Sequence, residues 1–387
     1  MKKGKILRNE MFPVLMLSLV LGIRQMAMTM VAPFISTYSK TLNLYTPVLA
    51  GIALGIFGLT QAIFQFPFGI LSDKYGNKIM MIIGLFQVII GLIIAFFAKN
   101  IYVLIFARGL QGSGAIIGVG YSWASEVVKK EQRTKALSIL GTFVSAAAAL
   151  AFALGPLLRE FMPVNMMFLV CAILLLINGI YIIFFLKDST INERNNNNLK
   201  LSKSLEVLFR NKAFVINNIS AFINNFMMMS VFYLVPIYLN KVTGERGIWK
   251  VFLPAILVAV LVMKISVGFV EKGYNRRVLM ICFSTASVSI CFYLIKQSYT
   301  FLLIGTILYL SAYVTLATVL ATNVNNSVEN SYRGTANGIF NSFQYIGNFV
   351  GPVVCGIVWV YSEKLTWLII ICVGVLGLFG MAMSGRD

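Results

Sequence analysis

The chain has no histidine, few acidic residues and little charge of any kind, and each shortage removes a class of function. Without histidine it lacks the side chain that most often relays protons or ligates a metal near neutral pH. Its five cysteines, Cys171, Cys282, Cys291, Cys355 and Cys372, all fall inside long apolar runs, with no CxxC or Cys/His pattern. They read as small packing residues, not as a metal or disulfide framework. A nucleophile triad, a metal cluster and a phosphate-binding loop are all missing, so neither an enzyme nor a bound cofactor is expected. Only 12% of the 387 residues are charged, against about 25% in soluble domains.

What remains is hydrophobic: 59% of the chain, with a mean hydropathy of +0.85. The apolar residues come in runs of about 20 or more, the length that crosses a hydrocarbon layer of ~30 Å. The fold class is therefore an all-α membrane protein. Helices are predicted near 12–38, 48–72, 79–98, 101–127, 134–158, 164–186, 213–240, 249–270, 278–295, 300–322, 334–360 and 364–384. The first run follows Lys2, Lys3, Lys5 and Arg8 and is too long for the apolar core of a cleavable signal.

A formal charge of +19 would suggest nucleic acid in a soluble protein. Here topology accounts for it. With twelve helices both termini share one side. Placed on the cytoplasm, that side collects 21 of the 32 Lys and Arg residues, against 8 outside and 3 within spans. This is the positive-inside bias. The expected setting is the inner (plasma) membrane, with both termini cytoplasmic and anionic lipid as a neighbour. No nucleic-acid partner is expected, and the protein reads as a monomer.

The longest polar stretch, 187–212, divides the chain into bundles at 1–186 and 213–387. Its second part, around Leu201, Leu205, Leu208 and Phe209, has the pattern of a short interfacial amphipathic helix. The two halves echo each other. The loop with Asp73 is answered by the loop with Glu271, the helix opening after Arg133 by that after Arg333, and Gly155-Pro156 by Gly351-Pro352, at offsets of 198, 200 and 196 residues. Parallel six-helix repeats about a central cavity are a transporter architecture.

The stretch from Gly51 to Lys78, GIALGIFGLTQAIFQFPFGILSDKYGNK, continues the theme through Arg108-Gly-Leu-Gln111-Gly112 and Glu126 to Ala136. It closely resembles the drug:proton antiporter branch of the major facilitator superfamily, especially its bacterial YajR-like members. That resemblance implies two pseudo-symmetric six-helix bundles that rock about a midplane site, with protons as a possible partner. It also implies that Asp73, Lys74 and Gly76 hold the cytoplasmic gate against the start of helix eleven at Arg333, and that Arg108, with Gln111 and Gly112, couples site to gate. The family usually carries a basic residue at the position of Asn77, which pairs with the acid matching Glu126; here Lys78 or Arg133 is the expected substitute. Gly69 would allow close helix approach, and Gly76 a tight turn. Gly155 and Pro156 match the antiporter pattern of helix five only in part.

Arg24, Arg108 and Lys264 are the three charges within spans. An arginine at mid-helix costs at least about 2.5–3.5 kcal/mol, so it should face a cavity or a partner. Arg24 reads as a cavity residue, with a structural hydrogen-bond role as the alternative. Lys264 is close enough to a helix end to snorkel. Asn337, Asn341, Gln344 and Asn348 share one face of helix eleven. With Gln61, Gln65, Asn218, Asn225 and Tyr233 they form the candidate substrate lining, or else interhelical glue.

Three functions follow. The first is proton-linked export of small amphipathic compounds by alternating access. The second is transport or exchange of a small organic anion, since every charge within a span is positive. The third is a non-transporting receptor or scaffold, which would be expected to carry an added soluble domain; the sequence ends at Asp387, just past the last helix.

Overall fold

A computed structural model of the chain describes residues 2–186, 201–329 and 332–383. The linker asparagines and residues 187–200 lie outside the described residues. In hydrocarbon every backbone N–H and C=O must be satisfied within the protein, and the described residues are accordingly helical almost throughout. Fifteen α-helices occur among the described residues: α1 (Lys2–Val31), α2 (Ile35–Ser39), α3 (Pro47–Tyr75), α4 (Asn77–Phe96), α5 (Ile101–Ser113), α6 (Ile116–Glu126), α7 (Arg133–Phe161), α8 (Val164–Phe185), α9 (Leu201–Arg210), α10 (Lys212–Thr243), α11 (Trp249–Glu271), α12 (Asn275–Ile295), α13 (Tyr299–Asn326), α14 (Arg333–Trp359) and α15 (Glu363–Ala382).

Eleven spans among the described residues are long and apolar enough to cross a membrane, counting α1–α2 and α5–α6 as one each. The twelfth expected span is α14. Its amide-rich face lowers its mean hydropathy, although its 27 residues match the others in length. Two predicted spans are interrupted. The first has a 3₁₀ turn at Ala32–Phe34, and the fourth breaks between Ser113 and Ile116. The amphipathic segment predicted in the linker is α9, which packs on α10 and buries Leu208.

Lipid rather than water selects the outward faces. On α4, Ile79, Ile83, Phe86, Ile90 and Ile93 are exposed at helical spacing, while Gly84, Leu85, Val88, Leu92 and Ala95 face inward. Such a helix is hydrophobic all round, as a membrane span should be. Lys264 is exposed on α11.

The chain forms two compact units. One comprises Met1–Ala32 with Thr60–Asn196, the other Pro33–Leu59 with Asn197–Asp387. In the first, α1 packs on α7 and α8, and α4 on α5 and α8. In the second, α10 is enclosed by α13, α14, α15 and α2, and 89% of its apolar window is buried. Residues 33–59 join the second unit through glycine. Gly51, Gly55 and Gly58 recur on one face of α3 and bring its backbone against α14. A Cβ on Gly51 would overlap the Pro352 carbonyl, and one on Gly55 would stand 2.7 Å from Phe349 O. From the other side, a Cβ on Gly356 would come within 2.6 Å of Pro47 O. The Tyr233 hydroxyl donates to Pro47 O at 2.8 Å across the same seam.

Gly69, expected to serve close approach, has nothing within 4 Å of its missing side chain. That task falls to the three glycines about three to five turns earlier. Gly76 does make the expected turn, with φ 97°, a region essentially reserved for glycine. Two substitutions in α3 should therefore part company. Gly55→Ala forces backbone apart and should cost about 1–3 kcal/mol, whereas Gly69→Ala should be neutral or stabilise by about 0.5–1 kcal/mol. Thermal unfolding in detergent measures both, and equal shifts would contradict the seam.

Candidate functional site

The fourth span sets the geometry of the first unit. Arg108 on α5 is 1% exposed, and its Nη1 donates to Gln111 Oε1 at 2.6 Å. Gln111 Nε2 donates in turn to Gly91 O on α4 at 3.0 Å. Gly91 permits this approach, since a Cβ there would lie 2.8 Å from Gln111 Cγ. Gly112 is buried beside them. Two residues later the helix stops. Gly114 (φ −73°, ψ 63°) and Ala115 (φ −79°, ψ 58°) take inverse γ-turn angles. Ala115 N–H and Ile116 N–H then bond back to Ser113 O and Gly114 O, each at 2.9 Å.

Arg24 of α1 reaches this break. It is 1% exposed, and its Nη2 donates to Gln61 Oε1 on α3 at 3.1 Å and to Gly114 O at 3.5 Å. Gln61 is fully buried; Gln65, one turn on, is half-buried and lies beside Gly118, the third residue of α6. Sequence order thus scatters a cluster that the helices assemble: Arg24, Gln61, Gln65 and the broken segment of helix four. Arg24 and Arg108 are the only charged side chains buried among the described residues.

The second unit places its amides differently. Asn217, Asn218 and Asn225 turn back to carbonyls of their own helix, at 2.8, 2.7 and 2.9 Å. Tyr233 is 1% exposed and engaged with Pro47. On α14, Asn337 donates to Asn325 Oδ1 at 2.8 Å, Asn341 and Gln344 are half-buried, and Asn348 Oδ1 is buried with no hydrogen-bond partner. Asn224, which sequence reasoning left out of the site, crosses to α13 and donates to Tyr313 O at 3.4 Å.

The motif ends are also positioned. Asp73 and Lys74 are exposed in the last turn of α3. Glu126 accepts from Asn77 Nδ2 at 2.7 Å and from Ser122 Oγ at 3.2 Å. The asparagine therefore meets the acid itself. Lys78, expected as its substitute, donates to Ile183 O and Leu186 O at 2.8 and 2.7 Å, capping the end of α8. Arg276 does the same for the end of α15 through Met381 O and Ala382 O. Arg133 and Arg333 open α7 and α14, and Arg333 Nε donates to Asn325 O at 3.1 Å. Gly155 and Pro156 pack within the first unit: a Cβ on Gly155 would lie 2.5 Å from Met30 O of α1.

A groove of about 440 Å³ lies between α3 and α4, lined by Phe64, Pro67, Phe68, Leu71 and Ile83, with Gln87 its single amide. Such a lining suits an acyl chain and offers little to a polar solute. Replacing Asn77 by leucine removes the donor to half-buried Glu126 and should cost about 1–3 kcal/mol, read as a lowered unfolding temperature in detergent. No change would mean that this bond carries no stability.

Comparison with known proteins follows the same lines. A sequence profile described as Major Facilitator Superfamily matches residues 17–352. An uncharacterized transporter of Buchnera aphidicola (subsp. Baizongia pistaciae) is 29% identical over 89% of both chains. The inner membrane transport protein YajR of Escherichia coli is 32% identical over 63% of this chain and 54% of its own. The multi-drug resistance efflux pump PmrA of Streptococcus pneumoniae is 31% identical over 42% of each. Among solved structures, the nucleoside transporter NupG superposes with a TM-score of 0.76 at 15% identity, covering 96% of this chain and 100% of that one. A D-xylose-proton symporter superposes with a TM-score of 0.75 at 13% identity, covering 97% and 99%. Profile, relatives and twelve-helix fold agree that this multi-pass membrane protein, a transporter and not an enzyme, belongs to the Major Facilitator Superfamily.

Proposed function

We propose that the protein is a secondary active transporter that exports small amphipathic compounds in exchange for protons. Residues 1–186 would rock against residues 213–387, with 187–212 as the linker. The observation that carries export is the likeness to PmrA, named as a multi-drug efflux pump, joined to the motif-dense run from Gly51 to Lys78.

The seam in the second unit suits such a cycle. Residues 33–59 rest on α10 and α14 mainly through backbone laid against backbone. A surface of this kind packs closely through small residues, without interlocking side chains. In this reading residues 33–59 seal the extracellular end and both termini are cytoplasmic, in the inner membrane, with the protein working as a monomer in lipid. Asp73, Lys74, Gly76 and Arg333 control the opposite gate, and Arg108 links it to the substrate.

Proteoliposomes with a pH dye trapped inside test this directly. In a matched panel of cationic, neutral and acidic amphiphiles, at least one class should drive saturable proton movement that protein-free vesicles lack. Saturable uptake without proton movement removes the proton linkage. Absence of both would falsify transport of these compounds altogether.

A further inference from the structure

We propose that Arg24, Gln61, Gln65 and the broken segment of helix four bind the anionic group of the substrate, so that the transported class is amphipathic acids. This deepens the transport reading and rests on it. The case comes from comparing the two halves of the chain, which repeat with an offset of about 200 residues.

The scaffold contacts repeat with the same chemistry. Lys78 caps the sixth span and Arg276 the twelfth. Gly155 meets the backbone of α1 at Met30, and Gly351 meets α10 at Phe226 and Ser230. The bond between the first and fourth spans of each half also repeats, but there the chemistry changes. Arg24 donates to Gly114 O across a sequence separation of 90, and Asn224 donates to Tyr313 O across 89, at 3.5 and 3.4 Å. A neutral amide thus makes the bond that joins these helices. The fold does not need a charge there, yet the first half bears the cost of burying one.

Two further differences accompany it. Where the first half buries Arg108, the offset of 199 that matches Gly114 to Tyr313 puts an apolar residue, Ile307, in the second. Where helix four breaks at Gly114–Ala115, α13 runs unbroken from Tyr299 to Asn326. All three departures sit together around Arg24. The break starts α6 beside the arginine, and the first turn of a helix presents N–H groups and positive charge. Gly118 in that turn leaves room, since a Cβ there would meet only Gln65 atoms, at 3.8 Å. Gln65 Nε2, a donor, is one of those atoms.

A guanidinium, a second one nearby on α5 and a helix start form a site with positive charge and no buried carboxylate among the described residues. A carboxylate, sulfonate or phosphate would exchange the neutral Gln61 and Gly114 acceptors for a charge-assisted pair, roughly twice as strong. Gln61 would swing aside to admit it, and the apolar remainder of the substrate would lie along the unit's hydrophobic walls.

The test uses the purified protein in phosphatidylcholine nanodiscs, where the lipid carries no net charge. The probes are 2-naphthylacetate, its methyl ester and 2-naphthylmethylammonium, followed by tryptophan quenching. The wild type should bind the carboxylate about tenfold more tightly than either analogue, a difference of about 1.4 kcal/mol. R24K should keep most of that preference. R24N, which copies the second half, should fold and bind all three within about twofold; R24Q substitutes if R24N is not monodisperse. Lack of saturable carboxylate binding, equal affinities in the wild type, or an undiminished preference in the amide variant would each overturn the proposal. So would loss of carboxylate binding on adding phosphatidylglycerol in the wild type but not in R24K, which would assign the site to lipid headgroups. Transport is scored separately in proteoliposomes. Carboxylate binding without movement of any probe would leave the site and remove the transport reading, while movement of all three without preference would do the reverse.

Discussion

A polar side chain inside a bilayer can be satisfied only by the protein that carries it, because no water is available to take over a broken bond. The arrangement of both units follows from that condition. Asn217, Asn218 and Asn225 return to their own helix, Asn178 reaches Val20 O on α1 at 2.9 Å, and Asn224 reaches α13. Helix ends obey it too, with Lys78 and Arg276 supplying charges to carbonyls that a terminated helix leaves open. A guanidinium is the hardest case. Arg24 and Arg108 are buried; Gln61 and Gly114 O accept from Arg24, and Gln111 accepts from Arg108.

The internal repeat acts as a control within one molecule. Positions that hold the scaffold together carry matching residues in both halves, because helix caps and close glycine contacts are demanded by the same geometry. Positions that differ mark where one half does something the other does not. By that measure the first half is elaborated around the fourth span, with a break, two arginines and a glutamine pair, and the second half is plain. Fold-level likeness to NupG and the xylose symporter would not separate the two kinds of position, since it reports backbone alone.

Glycine plays two separate roles. At Gly76 it supplies a backbone conformation that side chains resist. At Gly51, Gly55 and Gly58 the helix is regular, and glycine serves only to remove atoms between two backbones. Close approach of this kind gains dispersion contacts without directional locks, which suits surfaces that separate during a transport cycle.

Composition and run length determined the membrane class and the helix count, and the spacing of matching motifs the two-fold repeat. Lipid imposes a long apolar period, and the charges that remain are sorted by side. The amphipathic segment at Leu201–Arg210 was legible for the same reason, and the glycine spacing of α3 could have been read as a packing face. The break at Gly114 was signalled weakly by Gly112-Ser-Gly114 inside a run whose hydropathy is uninterrupted. Only the tertiary structure decided which residues meet. It brought Asn77 onto Glu126, turned the α10 amides onto their own backbone, gave the close-approach role to Gly51 and Gly55 instead of Gly69, and joined Arg24 to Gln61 and Gly114. Those choices depend on distances between helices far apart in the chain. A hydropathy pattern specifies which face of a helix is buried, but not which neighbour's carbonyl or amide will be waiting there.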